Sequence, residues 1–338
     1  MRSFFIFFVL VIMGAGAIAQ QHVSTGEVGI FYPISTNGKQ APLFTNHFSF
    51  NLFQGISANE TAFTLSGLVT NVKDTARGVQ IASLVNTIGH KQGGVQVAGL
   101  VNASKSADAL SIAGLANVNH GNAKGLQLSG LANTADTATV QIGGIVNKAH
   151  EVNMQIGGLI NVAKKVKGAQ IAGLVNIADS SDYPIALINI IRNGDMTIGL
   201  STDQSLNTMV TFRSGGNRLY GIIGAGYNLK HADRNLYAMQ AGIGAHLINT
   251  PIFRLNLEAS SLELTDFKGA HNLQSGLLLY PTLRVWKQLD VFAGPSFNYT
   301  IYRRDVADVH HHYVWSDDTR EGRQGLFVGA VAGIQWTL

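Results

Sequence analysis

The residues best equipped for chemistry lie near the C-terminus, in Asp305-Val306-Ala307-Asp308-Val309-His310-His311-His312, followed by Asp317-Asp318. Imidazole and carboxylate groups together hold divalent cations, which makes Asp308, His310 and His312 the candidate metal ligands. Neighbouring histidines on an extended chain point to opposite faces. Three ligands from so short a run are strained, so an exposed polar loop is the competing reading. Gly221-Ile222-Ile223-Gly224-Ala225-Gly226 has the look of a nucleotide loop, but it sits inside an alternating strand and opens no helix, so glycine packing is expected there. The chain has no cysteine, which excludes disulfides, thiolate zinc sites and thiol catalysis. No nucleophile elbow, zinc-protease motif or phosphate loop is present. No cofactor is expected, and no enzymatic activity.

A second set of polar residues recurs through the middle of the chain. Seven copies read GVQIASLVN, GVQVAGLVN, ALSIAGLAN, GLQLSGLAN, TVQIGGIVN, NMQIGGLIN and GAQIAGLVN. They end at Asn86, Asn102, Asn117, Asn133, Asn147, Asn161 and Asn176, at spacings of 16, 15, 16, 14, 14 and 15 residues. Six residues before each of these lies Gln80, Gln96, Ser111, Gln127, Gln141, Gln155 or Gln170. All length variation therefore falls in the connecting turns. Degenerate copies flank the array, ending at Asn71 and Asn189.

The period within a copy is two, which specifies strands. It places Gln, a small residue, Leu and Asn on one face and Val or Ile with Gly on the other. Stacked in register, the Gln and Asn side chains can each donate to and accept from the next copy, which satisfies amides that would be costly to bury alone. A structural ladder is expected of them; a ligand-binding stripe is the alternative.

The recurring unit resembles that of bacterial surface-repeat proteins, whose units read roughly G-h-Q-h-G-G-L-h-N with h apolar. The resemblance covers about residues 60 to 192. It implies an exported envelope protein and brings no catalytic residues.

The rest of the chain agrees with export. Arg2, the apolar run Phe4 to Met13 and Ala17-Ile18-Ala19 read as a signal peptide over residues 1–19. Hydrophobic residues make up 46% of the chain and charged residues 13%, with 38 glycines and 6 prolines. That composition suits packed strands and does not suit disorder. The net charge of +4 comes without a Lys/Arg cluster, so nucleic acid is not an expected partner. No later segment offers the ~20 apolar residues of a membrane helix. Any further membrane contact must come from strands.

From Asp195 to Leu338 longer strands are expected at 196–202, 207–213, 218–228, 236–247, 252–264, 274–286, 288–302 and 325–338. Tyr237, Met239, Ala241, Ile243, Ala245 and Leu247 share one face. Arg254 and Glu258 fall on the polar face of an otherwise apolar strand. Short turns at 214–217, 249–251 and 287 alternate with longer connections at 228–235, 265–272 and 303–324. The final strand aligns Leu326, Val328, Ala330, Ala332, Ile334, Trp336 and Leu338. These features suit an antiparallel outer-membrane barrel, whose outside is apolar and whose lumen is polar. A soluble sandwich gives the same alternation. The last residue is Leu, where the terminal strand of outer-membrane barrels usually has Phe or Trp. His246 falls on the lumen side, without a Ser or Asp partner at a recognisable spacing.

The organisation expected is all-β: strands over 20–63 capping the array, tandem 14–16-residue repeats over 64–192, and an antiparallel barrel over 195–338. The array reads as a β-solenoid, since no aromatic residue lies between Thr64 and Asp182 whereas membrane barrels carry aromatic girdles. The alternative is one large barrel that includes the repeats. The Asn193-Gly194 pair favours that alternative, because it is a strong hairpin signal between the last degenerate copy and the first barrel strand. The expected role is a non-enzymatic structural or interaction protein in the outer membrane of a Gram-negative envelope. Its expected partners are membrane lipid and an envelope protein or polysaccharide. A transport barrel and a lipid-modifying enzyme are the alternatives.

Overall fold

The computed structural model describes residues 22–230, 236–268, 271–303, 312–318 and 322–338. The expected signal peptide lies outside the described residues. The fold is all-β, a solenoid of about 10 turns followed by a closed antiparallel barrel of 8 strands. The chain divides into two compact units between Gly121 and Asn122.

In the first unit each copy lies parallel to the next and in register. Gln80 faces Gln96 between strands Val79–Ala82 and Val85–Ala98. Strand Val101–Ala113 continues the ladder, with Asn86 opposite Asn102. The ladder begins earlier than the repeat pattern does. His22–Phe31, Phe44–Asn51 and Asn59–Ser66 also pair in parallel, and a short 3-10 helix at Gly38–Leu43 links the first two.

The second unit opens with the remaining copies. Gln127, Gln141, Gln155 and Gln170 align across successive strands. Asn133, Asn147, Asn161, Asn176 and Asn189 do the same. Register shifts fall at Ser104/Ser106 and Ala123/Leu126, in the polar connections. That is where copies of unequal length must differ if their ladders are to stay aligned.

Parallel pairing decides against a single large barrel, whose strands would be antiparallel. Strand Ile188–Ile191 pairs with Val175–Ser180, not with the first barrel strand. The Asn193-Gly194 pair therefore makes no hairpin. It forms a turn closed by Gly194 N–H donating to the Ile191 carbonyl at 3.1 Å, which re-aims the chain from array to barrel. A Cβ at Gly194 would strike the backbone of Gly215, so the turn needs glycine for close approach.

A coil of the array has three walls. On two of them Gln, Asn and a small residue point inward while Val, Ile and Leu point outward. The Gln and Asn columns are buried almost completely. The alternation breaks at the Gly-Leu step, where the chain bends. Leucine was expected to share the face of Gln and Asn. The bend turns it outward instead, as at Leu100, Leu159 and Leu174. The third wall has the ordinary polarity. Where this wall meets the Asn wall in the second unit, Ala149, Val152, Ala163, Val166, Ala178 and Ile191 pack together inside, while Lys164, Lys165 and Lys167 face out.

The barrel strands are, first to eighth, Met196–Asp203, Asn207–Gly215, Leu219–Asn228, Tyr237–Asn249, Phe253–Thr265, His271–Arg284, Leu289–Arg303 and Gly322–Thr337. The first pairs with the eighth, Thr197 opposite Thr337, and so closes the sheet. A further short strand, Trp315–Asp318, pairs with the eighth. One end carries the short turns at 216–218, 250–252 and 285–288. The other carries the longer connections, apart from the 204–206 link between the first two strands. The outer wall is apolar and open, with Val210 at 55%, Leu277 at 53% and Val328 at 61% exposure. Exposed Trp286 and Trp336 mark the short-turn end. Tyr227, Tyr237 and Phe267 cluster at the other.

Candidate functional site: the barrel lumen and the amide ladders

Strand alternation sends Arg213, Tyr220, His246, Glu258, Tyr280 and Phe292 into the lumen from six different strands. Arg213 and Glu258 form a two-pronged ion pair, Nε to Oε1 at 2.8 Å and Nη2 to Oε2 at 3.3 Å. The side chains are 8% and 1% exposed. Tyr280 donates to Glu258 Oε1 at 2.6 Å and Tyr220 donates to the same atom at 2.9 Å. The guanidinium lies 5.4 Å from the centre of the Phe292 ring. Burial of two charges is tolerable only when geometry is good and the remaining lone pairs are used, and these tyrosines use them.

Around this core the short-turn half of the lumen is filled. His246 Nδ1 meets Asn256 Oδ1 at 2.6 Å, and Asn256 donates to Thr282 at 2.9 Å. The His246 ring packs on Tyr220, with centroids 4.6 Å apart. Arg254 pairs with Asp195 at 2.6 Å and Arg284 with Asp290 at 2.8 Å. Toward the long-loop end a 60 Å³ cavity remains, lined among others by Asn207, Gln240, Ser260, Gln274 and Asn298. That is room for a couple of waters. Of the lumen residues, sequence reasoning found Arg254, Glu258 and His246. It missed Arg213, although the alternation Met209, Thr211, Arg213 in the second strand carried the same signal.

The expected ladder residues are brought together in columns. In the second unit the Asn side-chain N–H donates to the next Asn oxygen from Asn133 to Asn147 at 2.9 Å, Asn147 to Asn161 at 2.9 Å and Asn161 to Asn176 at 3.0 Å. Each also donates to a backbone carbonyl, those of Ile142, Ile156 and Ile171 respectively. The Gln column is bonded throughout: Gln141 to Gln127, Gln155 to Gln141 and Gln170 to Gln155, at 2.8, 2.8 and 3.0 Å. In the first unit Asn86, Asn102 and Asn117 form the same chain. The Gln column there is interrupted. Gln80 donates to the Arg77 carbonyl at 2.6 Å, and Ser111 stands where a third Gln would be. Both amide atoms of Gln96 are buried with no partner among the described residues.

The first coils carry a different inner column. Asn46 donates to Glu27 at 2.9 Å and to Glu60 at 3.2 Å, and Ser49 donates to both oxygens of Glu60. Burial pushes both carboxyls above the usual carboxylate range, and these hydrogen bonds offset only part of that shift. A carboxyl whose pKa is raised on folding stabilises the fold below its unfolded pKa, and that contribution is lost as pH rises through the folded value. The first unit is therefore expected to resist denaturant better near pH 4.5 than near pH 8. Glu60→Gln keeps the shape without the charge. It should strengthen amide protection over residues 44–72 at pH 8 several-fold and flatten its pH dependence, read by hydrogen exchange corrected for intrinsic rates. An unchanged pH profile in the variant would refute this.

Of the candidate metal ligands, Asp308 and His310 lie outside the described residues and His312 is exposed. Among the described residues no group of three or more His, Asp or Glu could hold a metal ion.

No protein-family model matches the chain, and no curated protein matches it. Among solved structures, the chain is similar to one described as "De novo design of transmembrane beta-barrels". The identity is 14%, the match covers 43% of this chain and 93% of that one, and the TM-score is 0.25.

Proposed function

We propose that this protein is a non-enzymatic anchor of the outer membrane of a Gram-negative envelope, in which the barrel sits in the bilayer and holds the solenoid for interaction with an envelope protein or polysaccharide. The observation that carries this reading is the polarity of the barrel. A closed sheet that buries an Arg–Glu pair and exposes Val210, Leu277 and Val328 has the inverse of a water-soluble core. That is the arrangement lipid favours. Aromatic side chains at both rims match the two membrane interfaces. Resemblance of the repeats to those of exported surface-repeat proteins supports the location. The filled lumen weighs against transport. Both ends of the barrel sheet lie at the short-turn end, so the array belongs on the periplasmic side.

The test is conductance of the refolded full-length protein in a planar bilayer, with insertion followed by its protection in vesicles. Insertion without channel events is expected. A stable, large conductance would replace the anchor by a transport protein. Failure to insert would remove the membrane assignment.

A further inference from the structure

The array carries an apolar surface that water should not favour. On two of its walls the amides face in and the aliphatic side chains face out. The third wall, in the same coils, keeps apolar groups inside and lysines outside. One coil thus contains both polarities, and the inversion is confined to one side. At the bend between the inverted walls stand Leu131, Ile145, Leu159, Leu174 and Leu187, each between 37% and 46% exposed. Ile142, Ile156, Ile171, Ile160 and Val175 flank this corner from adjoining strands. A contiguous row of exposed apolar side chains marks a contact surface for lipid or protein.

What covers the corner is indicated by where it starts. The last coil rests on the outer wall of the barrel. Asn189 N–H donates to Ser214 Oγ at 2.9 Å, and Asn189 Nδ2 donates to the Ser214 carbonyl at 3.1 Å. Asp182 accepts from the backbone of Arg218 and Leu219 at 3.2 Å. Opposite Ser214 is Gly221, where a Cβ would strike the carbonyls of Ala186 and Leu187. Ser214 and Gly221 alternate with lumen-facing Arg213 and Tyr220, so they belong to the outer wall. They stand next to the short turn, at the rim of the apolar band formed by Val210, Ile223 and Ile243. The other coils stack on the far side of the last one, through Asn176 to Asn189 at 2.9 Å. The leucine corner therefore begins at Leu187 on the rim of the apolar barrel wall and leads away from it.

We propose that this corner is a second lipid-contacting surface, seated among the acyl chains of the leaflet on the short-turn side of the barrel. The lysine wall then remains in water. The arrangement is the β counterpart of an amphipathic helix lying in an interface, which buries its apolar face about 5–10 Å deep. It rests on the reading of the barrel as membrane-embedded.

The absence of cysteine allows single nitroxide labels. Full-length protein carrying Leu159→Cys or Leu174→Cys would be reconstituted in phosphatidylcholine vesicles. Leu277→Cys on the barrel wall and Lys165→Cys on the lysine wall serve as references. Collisions with oxygen, which partitions into lipid, are compared with those of a water-soluble nickel chelate. Positions 159 and 174 are expected to match 277, with the oxygen-to-nickel ratio at least several-fold above that of 165. If 277 reads lipid while 159 and 174 read like 165, the corner proposal is overturned and the anchor stands. If 277 itself reads water, the anchor reading fails and the corner proposal with it. If 159 and 174 exclude both reagents and show spin–spin broadening that vanishes on dilution with unlabelled protein, a second copy covers the corner and the proposal is overturned.

Discussion

Glu258→Ala is expected to destabilise the barrel by about 3–5 kcal/mol, the usual cost of stranding one partner of a buried ion pair. Arg213 would keep its contact with Thr211 at 2.5 Å and its place over Phe292, but its charge would have no counter-ion in a closed lumen. Tyr220 and Tyr280 would both lose their acceptor, since each donates to Glu258 Oε1. Arg213→Ala should cost somewhat less, because the two tyrosines still solvate the carboxylate it leaves behind. The double variant Arg213→Leu/Glu258→Leu should recover much of the loss, since aliphatic replacement of a buried pair is often near neutral. The measurement is the urea midpoint of the reconstituted protein followed by tryptophan emission. All three tryptophans, Trp286, Trp315 and Trp336, belong to the barrel region. Single variants within ~0.5 kcal/mol of the parent, the range of ordinary surface changes, would show that lipid and strand closure hold the barrel without this cluster.

The sequence was most informative where a side-chain period ran unbroken. Tyr237, Met239, Ala241 and Ile243 gave the outer face of the fourth barrel strand. The bulge between His246 and Ile248 then shifted the parity, so Leu247 and Ile248 are both exposed. Spacing cannot show such a shift, because the extra residue is invisible until the partner strand is known. In the array, the period gave strands and grouped Gln with Asn, but an alternating pattern does not say which face is the inside. Ordinary experience would put Val and Ile within and the amides without. Stacking at 14–16 residues reverses this on two walls, because aligned amides satisfy one another in a column. The outward leucine is hidden for a related reason: strict alternation predicts it beside Gln and Asn, but the chain turns at the Gly-Leu step. The ion pair was half legible. Glu258 was conspicuous in an apolar strand, whereas its partner lies 45 residues away, and only barrel closure brings the two together.

The amide column leads to the other large effect. Asn161→Leu keeps nearly the same volume but removes three bonds. These are donation to the Ile171 carbonyl at 2.6 Å, donation to Asn176 Oδ1 at 3.0 Å, and acceptance from Asn147 Nδ2 at 2.9 Å. Asn147 keeps its bond to the Ile156 carbonyl, so the greater loss falls on the acceptors at Asn176 and Ile171. A buried polar group left unpaired costs about 1–3 kcal/mol, so a loss of about 3–5 kcal/mol is expected. In a solenoid each coil is held only by its neighbours, and the damage should centre on the coils ending at Asn147, Asn161 and Asn176. Tryptophan emission will not see it, because the array has no tryptophan. Far-UV circular dichroism and hydrogen exchange will, with the tryptophan signal as an internal control for the barrel. Lys165→Ala, on the outside of the same strand, should change stability by no more than ~0.5 kcal/mol. The interruption at Ser111 shows that the array survives one missing rung at the Gln position, where each amide reaches fewer partners. If Asn161→Leu leaves amide protection in these coils unchanged, the Asn column is a passenger. Cohesion of the array would then have to come from the parallel backbone ladder and the small Ala149, Val152 and Val166 core.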